Sequence, residues 1–392
     1  MAWEERTVKQ MREEFVRRAA SREKSIAALC REYGISRPTG YKWIERYNNG
    51  EEMDDRSRRP KSTPRRISAE VESEIVKTRK QYPALGAVKI RRIMENSGHI
   101  NLPCARTFNN IFARNGLIEK EASQAAAPCQ RFEKAEPNEM WQADFNGHFG
   151  MRNGQRCHPL NIIDDCSRFN LCVEALTEET FSAVKPVVER LFLEYGLPFS
   201  FLCDNGNPWG TSQSLGYTRF EVWLMELGVL TIHGRIRHPQ TQGKEERFNR
   251  SFTRECLHGK IFDDAKDAQR SFDEYRTFYN EVRPHCALGL DVPASHYSRS
   301  DKQLPVRIED WEYGPEYKLC KVKSSGYFNY RGQGFFLSEA FGDKTIAVRE
   351  SNLPGQITLV FRNFKIGRID LENRVYTLKR AYLLSGDPRI NV

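Results

Sequence analysis

Residues 238–252 read HPQTQGKEERFNRSF, and the way this stretch folds decides what the rest of the chain is arranged around. A Pro and a Gly precede an unbroken run of good helix formers, so a loop feeds a helix that starts near Gln242 or Gly243. Two carboxylates, Glu245 and Glu246, fall in its first turn. With 3.6 residues per turn, Glu246 shares a stripe with Gln242, Asn249, Arg250 and Thr253, whereas Glu245 shares one with Phe248 and Phe252. The polar stripe is the one that can face a charged substrate. A carboxylate among Lys244, Arg247 and Arg250 repels phosphate unless a divalent cation lies between them. Such chemistry calls for further carboxylates.

Two stand upstream. Asp144 lies in MWQADFNGHFG, where apolar and aromatic residues before a Gly predict a strand. Asp204 closes the run FSFLCD and is followed by Asn205 and Gly206, a turn signal at the end of a buried strand. Hard cations prefer oxygen ligands, and two strand Asp residues with one helix-start Glu can converge on them. Each alone reads more simply as a turn Asp or a solvated Glu. The three together are much more specific.

The segments WQADFNG, NIIDDCSRF, LCDNGNPWG, HPQTQGKEERFNRSF and YNEVRPHCALG together resemble the catalytic core of bacterial insertion-sequence transposases in the retroviral integrase superfamily, over residues 138–293. The resemblance implies a mixed sheet of the ribonuclease H type. It also implies an Asp, Asp, Glu triad on Asp144, Asp204 and Glu246 that binds two Mg2+ ions, with Mn2+ as substitute. The family's Glu stands three residues after the Gly of a Gln-Gly step, which selects Glu246 over Glu245 and agrees with the helix face. Between Asp204 and Glu246 lie 41 residues, a longer spacing than in retroviral relatives, with the surplus expected in PWGTSQSLGYT. Asp164 and Asp165 match a family turn that carries no metal and read as structural. His285 is expected to anchor the closing loop rather than to act as a base.

The chain has 392 residues, enough for several domains, and 61 Lys and Arg against 52 Asp and Glu give a net charge of +9. Residues 1–66 carry 17 basic and 11 acidic residues, a surplus of +6, so most of the excess lies at one end. That asymmetry favours a polyanionic partner, double-stranded DNA. Ten cysteines are scattered without a C-x-x-C step, so reduced thiols in a cytoplasmic protein are expected, and no zinc site is. No apolar run has transmembrane length, so no membrane partner is expected.

In chain order, residues 1–53 predict a helix-turn-helix domain, with its second helix running through Tyr41, Ile44 and Tyr47 and exposing Arg37, Lys42 and Arg46 toward a groove. Residues 54–67, with Arg56, Arg58 and Arg59, form a basic linker suited to phosphate or minor-groove contact. Residues 68–118 predict a second helix-turn-helix domain presenting Arg106, and 119–137 a second linker. The integrase-like core occupies 138–300, where Lys244, Arg247 and Arg250 are the candidate phosphate contacts. Short alternating runs over 310–375 predict a small C-terminal β-barrel. The chain is thus expected to be a multidomain α/β protein.

These features fit a transposase that binds the terminal inverted repeats of an insertion sequence, cleaves at the element's 3' ends and joins them to target DNA. Bringing two ends together requires a homodimer or higher oligomer. The competing classes are a catalytically silent DNA-binding regulator and a nuclease that cuts without joining.

Overall fold

The computed structural model of the chain describes residues 7–56, 67–118, 134–210, 216–234, 243–351, 353–373, 375–377 and 381–384. It divides into two units, Met1–Ile67 and Ser68–Val392.

The first unit holds three helices, α1 (Val8–Ala20), α2 (Ile26–Glu32) and α3 (Arg37–Asn48). Thr7, Ser25 and Ser36 cap them, each side chain accepting from a backbone N–H in the first turn, as short polar residues before helices do. Phe15, Val16, Leu29, Cys30, Trp43 and Met53 make the core. Gly40 lets α3 approach closely, because a Cβ there would lie 2.6 Å from Cys30 Sγ. The inner face of α3 is not the expected stripe. Tyr41 and Tyr47 are exposed, and Trp43 and Arg46 take the inner face.

The second unit opens with α4 (Ala69–Gln81), α5 (Ala87–Asn96) and α6 (Ala105–Arg114). Ile75, Ile90, Ile93, Phe108, Ile111 and Phe112 are buried between them. This module is tied to the body that follows: Tyr82 stacks on Phe278 at 4.9 Å, and Arg92 pairs with Asp291 at 2.9 Å.

The central sheet is built from β1 (Met140–Phe145), β2 (Phe149–Gly150), β3 (Arg156–Asp164), β4 (Asn170–Leu176), β5 (Ser200–Cys203) and β6 (Leu230–His233). β4, β3 and β1 run antiparallel, and β5 and β6 extend the sheet in parallel from β1. The strand order is that of the ribonuclease H type. The helices α7 (Phe181–Tyr195) and α8 (Arg219–Glu226) belong to one core with Trp141, Leu160, Ile162, Phe201 and Trp209. A second core gathers Phe248 and Phe252 of α9 (Gly243–Phe252) with Phe272 and Tyr275 of α10 (Ala265–Thr277). Both faces of the sheet are therefore covered, as parallel pairing demands.

The C-terminal region departs from the expected barrel. It has β7 (Lys318–Lys321), β8 (Tyr327–Tyr330), β9 (Gln333–Phe336), β10 (Thr345–Glu350), β11 (Gln356–Phe361), β12 (Phe364–Asp370), β13 (Tyr376–Thr377) and β14 (Tyr382–Leu383). The main sheet runs β13-β12-β11-β10-β7 with β14 on β12, beside a separate β8-β9 hairpin, and among the described residues it does not close. Alternation in a sequence marks which face is apolar but not what covers it. Here Tyr217, Val222, Met225 and Leu230 of the central body share one core with Val322, Phe328, Ile346, Leu359 and Ile366, so the open sheet buries its apolar face without closing on itself. Tyr217 donates its hydroxyl to Ile366 O at 2.7 Å, and Ser338 donates to Tyr217 O at 2.9 Å.

Candidate active site

Asp144 and Asp204 are brought together by the parallel pairing of β1 with β5. Asp144 lies in β1, opposite Asn161 of β3, and Asp204 directly follows the last residue of β5. Burial and the neighbouring Asp204 push the Asp144 carboxyl up to about 6, against an ordinary 3.8. Both effects disfavour the charged form. Asp204 accepts from Gly206 N–H at 2.9 Å through Oδ1, the Asx turn written in Asp-Asn-Gly.

Helix α9 covers Gly243–Phe252 among the described residues, and its two stripes fall where periodicity puts them. Phe248, Phe252 and Glu245 are buried, while Glu246, Arg247 and Arg250 are exposed. Asn249, on the Glu246 stripe, donates its amide to Asp144 Oδ2 at 2.9 Å and accepts from Asn161 Nδ2 at 2.5 Å. This chain of amides fixes the first turns of α9 against β1 and β3. The sequence places Asn249 on the polar stripe with Glu246 but does not show its hold on Asp144.

Glu245 is the unexpected member. It is 1% exposed, and neither carboxylate oxygen has a hydrogen-bond partner. Burial, then Asp144, Asp204 and Asp165, push its carboxyl well above the ordinary range. An ionised carboxylate so placed costs on the order of several kcal/mol unless a proton or a cation compensates. The paired carboxylates Asp144 and Asp204 are hard oxygen donors of the kind a divalent cation takes, and Glu245 lies buried beside them. Among the described residues, no group of three His, Cys, Asp or Glu side chains is already closed around a single metal position.

Asp164 and Asp165 do structural work. Asp164 accepts from Ser167 N–H and Oγ at 2.8 and 2.7 Å and from Asn138 N–H at 2.7 Å, closing the turn after β3. Asp165 is fully buried and pairs with Lys244 Nζ at 2.6 Å. Lys244 is thereby drawn into the fold, whereas Arg247 and Arg250 are exposed. Arg46 is displaced likewise: it is 8% exposed, lies over the Trp43 ring at 4.9 Å and donates to Asp54 O at 3.0 Å. Arg37, Lys42, Arg56 and Arg106 are exposed, with Arg56 paired to Glu51. Arg58 and Arg59 lie outside the described residues, as do residues 235–242. His285 packs its ring on Tyr279 at 4.6 Å, pairs its backbone with Asp291, and is held down to about 3 by burial and Arg283, which suits an anchor and not a base.

One further feature escaped sequence reading. His233, at the end of β6, faces the carbonyl of Asp204 through Nδ1 at 2.8 Å and Glu221 Oε1 through Nε2 at 2.9 Å. The Thr218-x-x-Glu221 capping box was legible, but not what the second Glu221 oxygen would meet.

Comparison with known proteins agrees with this architecture. Models of the integrase core domain match residues 134–239 and 227–293. A helix-turn-helix domain model matches 11–61, a homeodomain-like one 39–112, and the C-terminal domain of IS481 family transposases matches 318–377. An uncharacterised 39.2 kDa protein of insertion element IS476 from Xanthomonas euvesicatoria is 27% identical over 158 residues, 40% of this chain and 44% of that protein. A 31.7 kDa protein of insertion element IS407 from Burkholderia multivorans is 29% identical over 191 residues, 47% of this chain and 63% of that protein. Transposase InsD of insertion element IS2 from Escherichia coli is 26% identical over 219 residues, 53% of this chain and 70% of that protein. The chain thus spans about half the length of the first two relatives. Among solved structures, it is similar to the HTLV-2 integrase catalytic core domain in complex with magnesium, with 16% identity over 41% of this chain and 98% of that one and a TM-score of 0.31. These matches give the chain helix-turn-helix domains, an integrase core and an insertion-sequence transposase C-terminal domain, and they join it in sequence to proteins of insertion elements.

Proposed function

We propose that this chain binds the terminal inverted repeats of an insertion sequence, cleaves at the element's 3' ends and joins them to target DNA. The observation that carries the reading is the convergence of Asp144 and Asp204 at adjacent strands, with Asn249 of α9 clasping Asp144 one helical turn beyond Glu246. Asp144, Asp204 and Glu246 are the proposed holders of divalent cations, two Mg2+ in this reading. Such ions, when bound, make a water a better nucleophile and stabilise a leaving 3' oxygen. The carboxylates set where the cations sit, and Asn249 sets the rotamer of Asp144. Arg247 and Arg250, exposed on the outer face of α9, hold the phosphates flanking the reacting one. Arg37 and Lys42 on α3 and Arg106 on α6 are the proposed contacts to the element's end. No covalent enzyme intermediate is invoked, so no Ser, Tyr or Cys nucleophile is assigned. Two element ends call for at least a dimer on DNA.

The test combines a labelled duplex bearing the element's terminal sequence, a supercoiled plasmid and Mg2+, with wild type beside Glu246→Gln. Label joined to plasmid only by wild type is the expected result. Nicked duplex without joining would mean a nuclease, and salt-sensitive binding without cleavage would mean a regulator.

A further inference from the structure

The residues that hold the second carboxylate are not in the triad. Asp204 begins a loop, and a loop residue is a poor metal ligand unless its backbone is pinned. Three ties pin this one. Cys203 pairs with His233 in the parallel β5–β6 register, and Gly234 N–H donates to Cys203 O at 3.1 Å. Asn205 Nδ2 returns a hydrogen bond to Gly234 O at 3.0 Å. The third tie is the imidazole of His233, 8% exposed, wedged so closely that a Cβ on Gly210 would come within 3.1 Å of its Cε1.

The polarity of that imidazole is set by its neighbours. A carbonyl oxygen only accepts, so Nδ1–H donates to Asp204 O. The other nitrogen shares a proton with Glu221 Oε1, while Glu221 Oε2 accepts from Thr218 N–H and Oγ. Glu221 therefore fixes the ring and its tautomer, and the ring fixes the peptide of Asp204. The arrangement has the form of carboxylate–histidine support behind a ligand, with the histidine acting on the ligand's backbone instead of on the metal.

We propose that His233 and Glu221 are positioning residues that aim the Asp204 carboxylate at the cation it shares with Asp144. The proposal rests on the metal-centre reading above. Its test measures Mn2+ binding to the full chain, followed by the free-ion electron paramagnetic resonance signal, in wild type, His233→Ala, His233→Asn, His233→Gln and Asp204→Asn. Asn places an amide N–H near the position of Nδ1, and Gln near that of Nε2. His233→Ala and His233→Gln are expected to bind Mn2+ roughly 10- to 100-fold more weakly, whereas His233→Asn stays within about threefold of wild type. Melting of the metal-free proteins separates loss of fold from loss of aim, since a purely structural role would lower the melting temperature of all three and leave Mn2+ affinity unchanged in those that remain folded. Wild-type affinity in folded His233→Ala, or rescue by Gln but not Asn, overturns the proposal. If Asp204→Asn itself binds Mn2+ like wild type, the metal-centre reading fails and the proposal falls with it.

Discussion

Asp144 is where the chemistry of the site and the stability of the fold oppose each other. Burial and Asp204 push its carboxyl up to about 6 in the folded chain, against the ordinary 3.8 of an unfolded one. Between those values the folded chain holds the proton more tightly, so stability falls as pH rises from about 4 to about 6 and stays low above that. A cation beside Asp144 removes the penalty only where the carboxyl is ionised. Mg2+ should therefore raise the melting temperature more at pH 7 than at pH 5. Asp144→Asn should be more stable than wild type in chelator at pH 7 and gain little from Mg2+. Equal Mg2+ gains in the two proteins would exclude Asp144 as a ligand. At this scale the sequence was informative about residue type and uninformative about direction. Asp-Asn-Gly announced a turn and Gln-Gly-Lys a helix start, but whether Arg46 or Lys244 points outward depends on Trp43 and Asp165, partners brought from another turn or another strand.

At the scale of elements, the strands bearing Asp144 and leading to Asp204 and the helix bearing Glu246 were legible because their apolar periods are clean, and β1, β5 and α9 form there. What alternation leaves open is closure, and the C-terminal sheet stayed open because another body covers its apolar face. Ion pairs between elements were equally invisible. Arg283 grips Glu255 with two hydrogen bonds of 2.7 Å, both side chains under 10% exposed, joining the end of the α9 segment to the loop after α10. Glu255→Ala leaves a guanidinium buried without its carboxylate and should cost about 3–5 kcal/mol in urea unfolding. The paired replacement Arg283→Met with Glu255→Leu should recover most of that, since no charge is then stranded. Equal losses in the single and paired variants would show that packing, not charge, holds the junction.

Across the whole molecule, the two units differ in how separable they are. Met1–Ile67 is a unit with its own core. The C-terminal sheet has no such independence, because Tyr217, Val222, Met225 and Leu230 belong to its core. A chain ending near residue 310 would expose that face, and it should be recovered mainly as aggregate, binding a hydrophobic dye in whatever remains soluble. A monodisperse truncated core melting like the full chain would refute this. The shared core also bears on heredity. Genes for mobile elements exchange parts by recombination, and a crossover between the integrase-like body and the C-terminal sheet breaks a single apolar interior into halves from different parents. The viable seam lies before Ser68, so the first helix-turn-helix domain is free to be traded between lineages, while the second stays with the body it is tied to. The terminal sheet, by contrast, must be inherited together with α8 and β6, the elements that also steady Asp204.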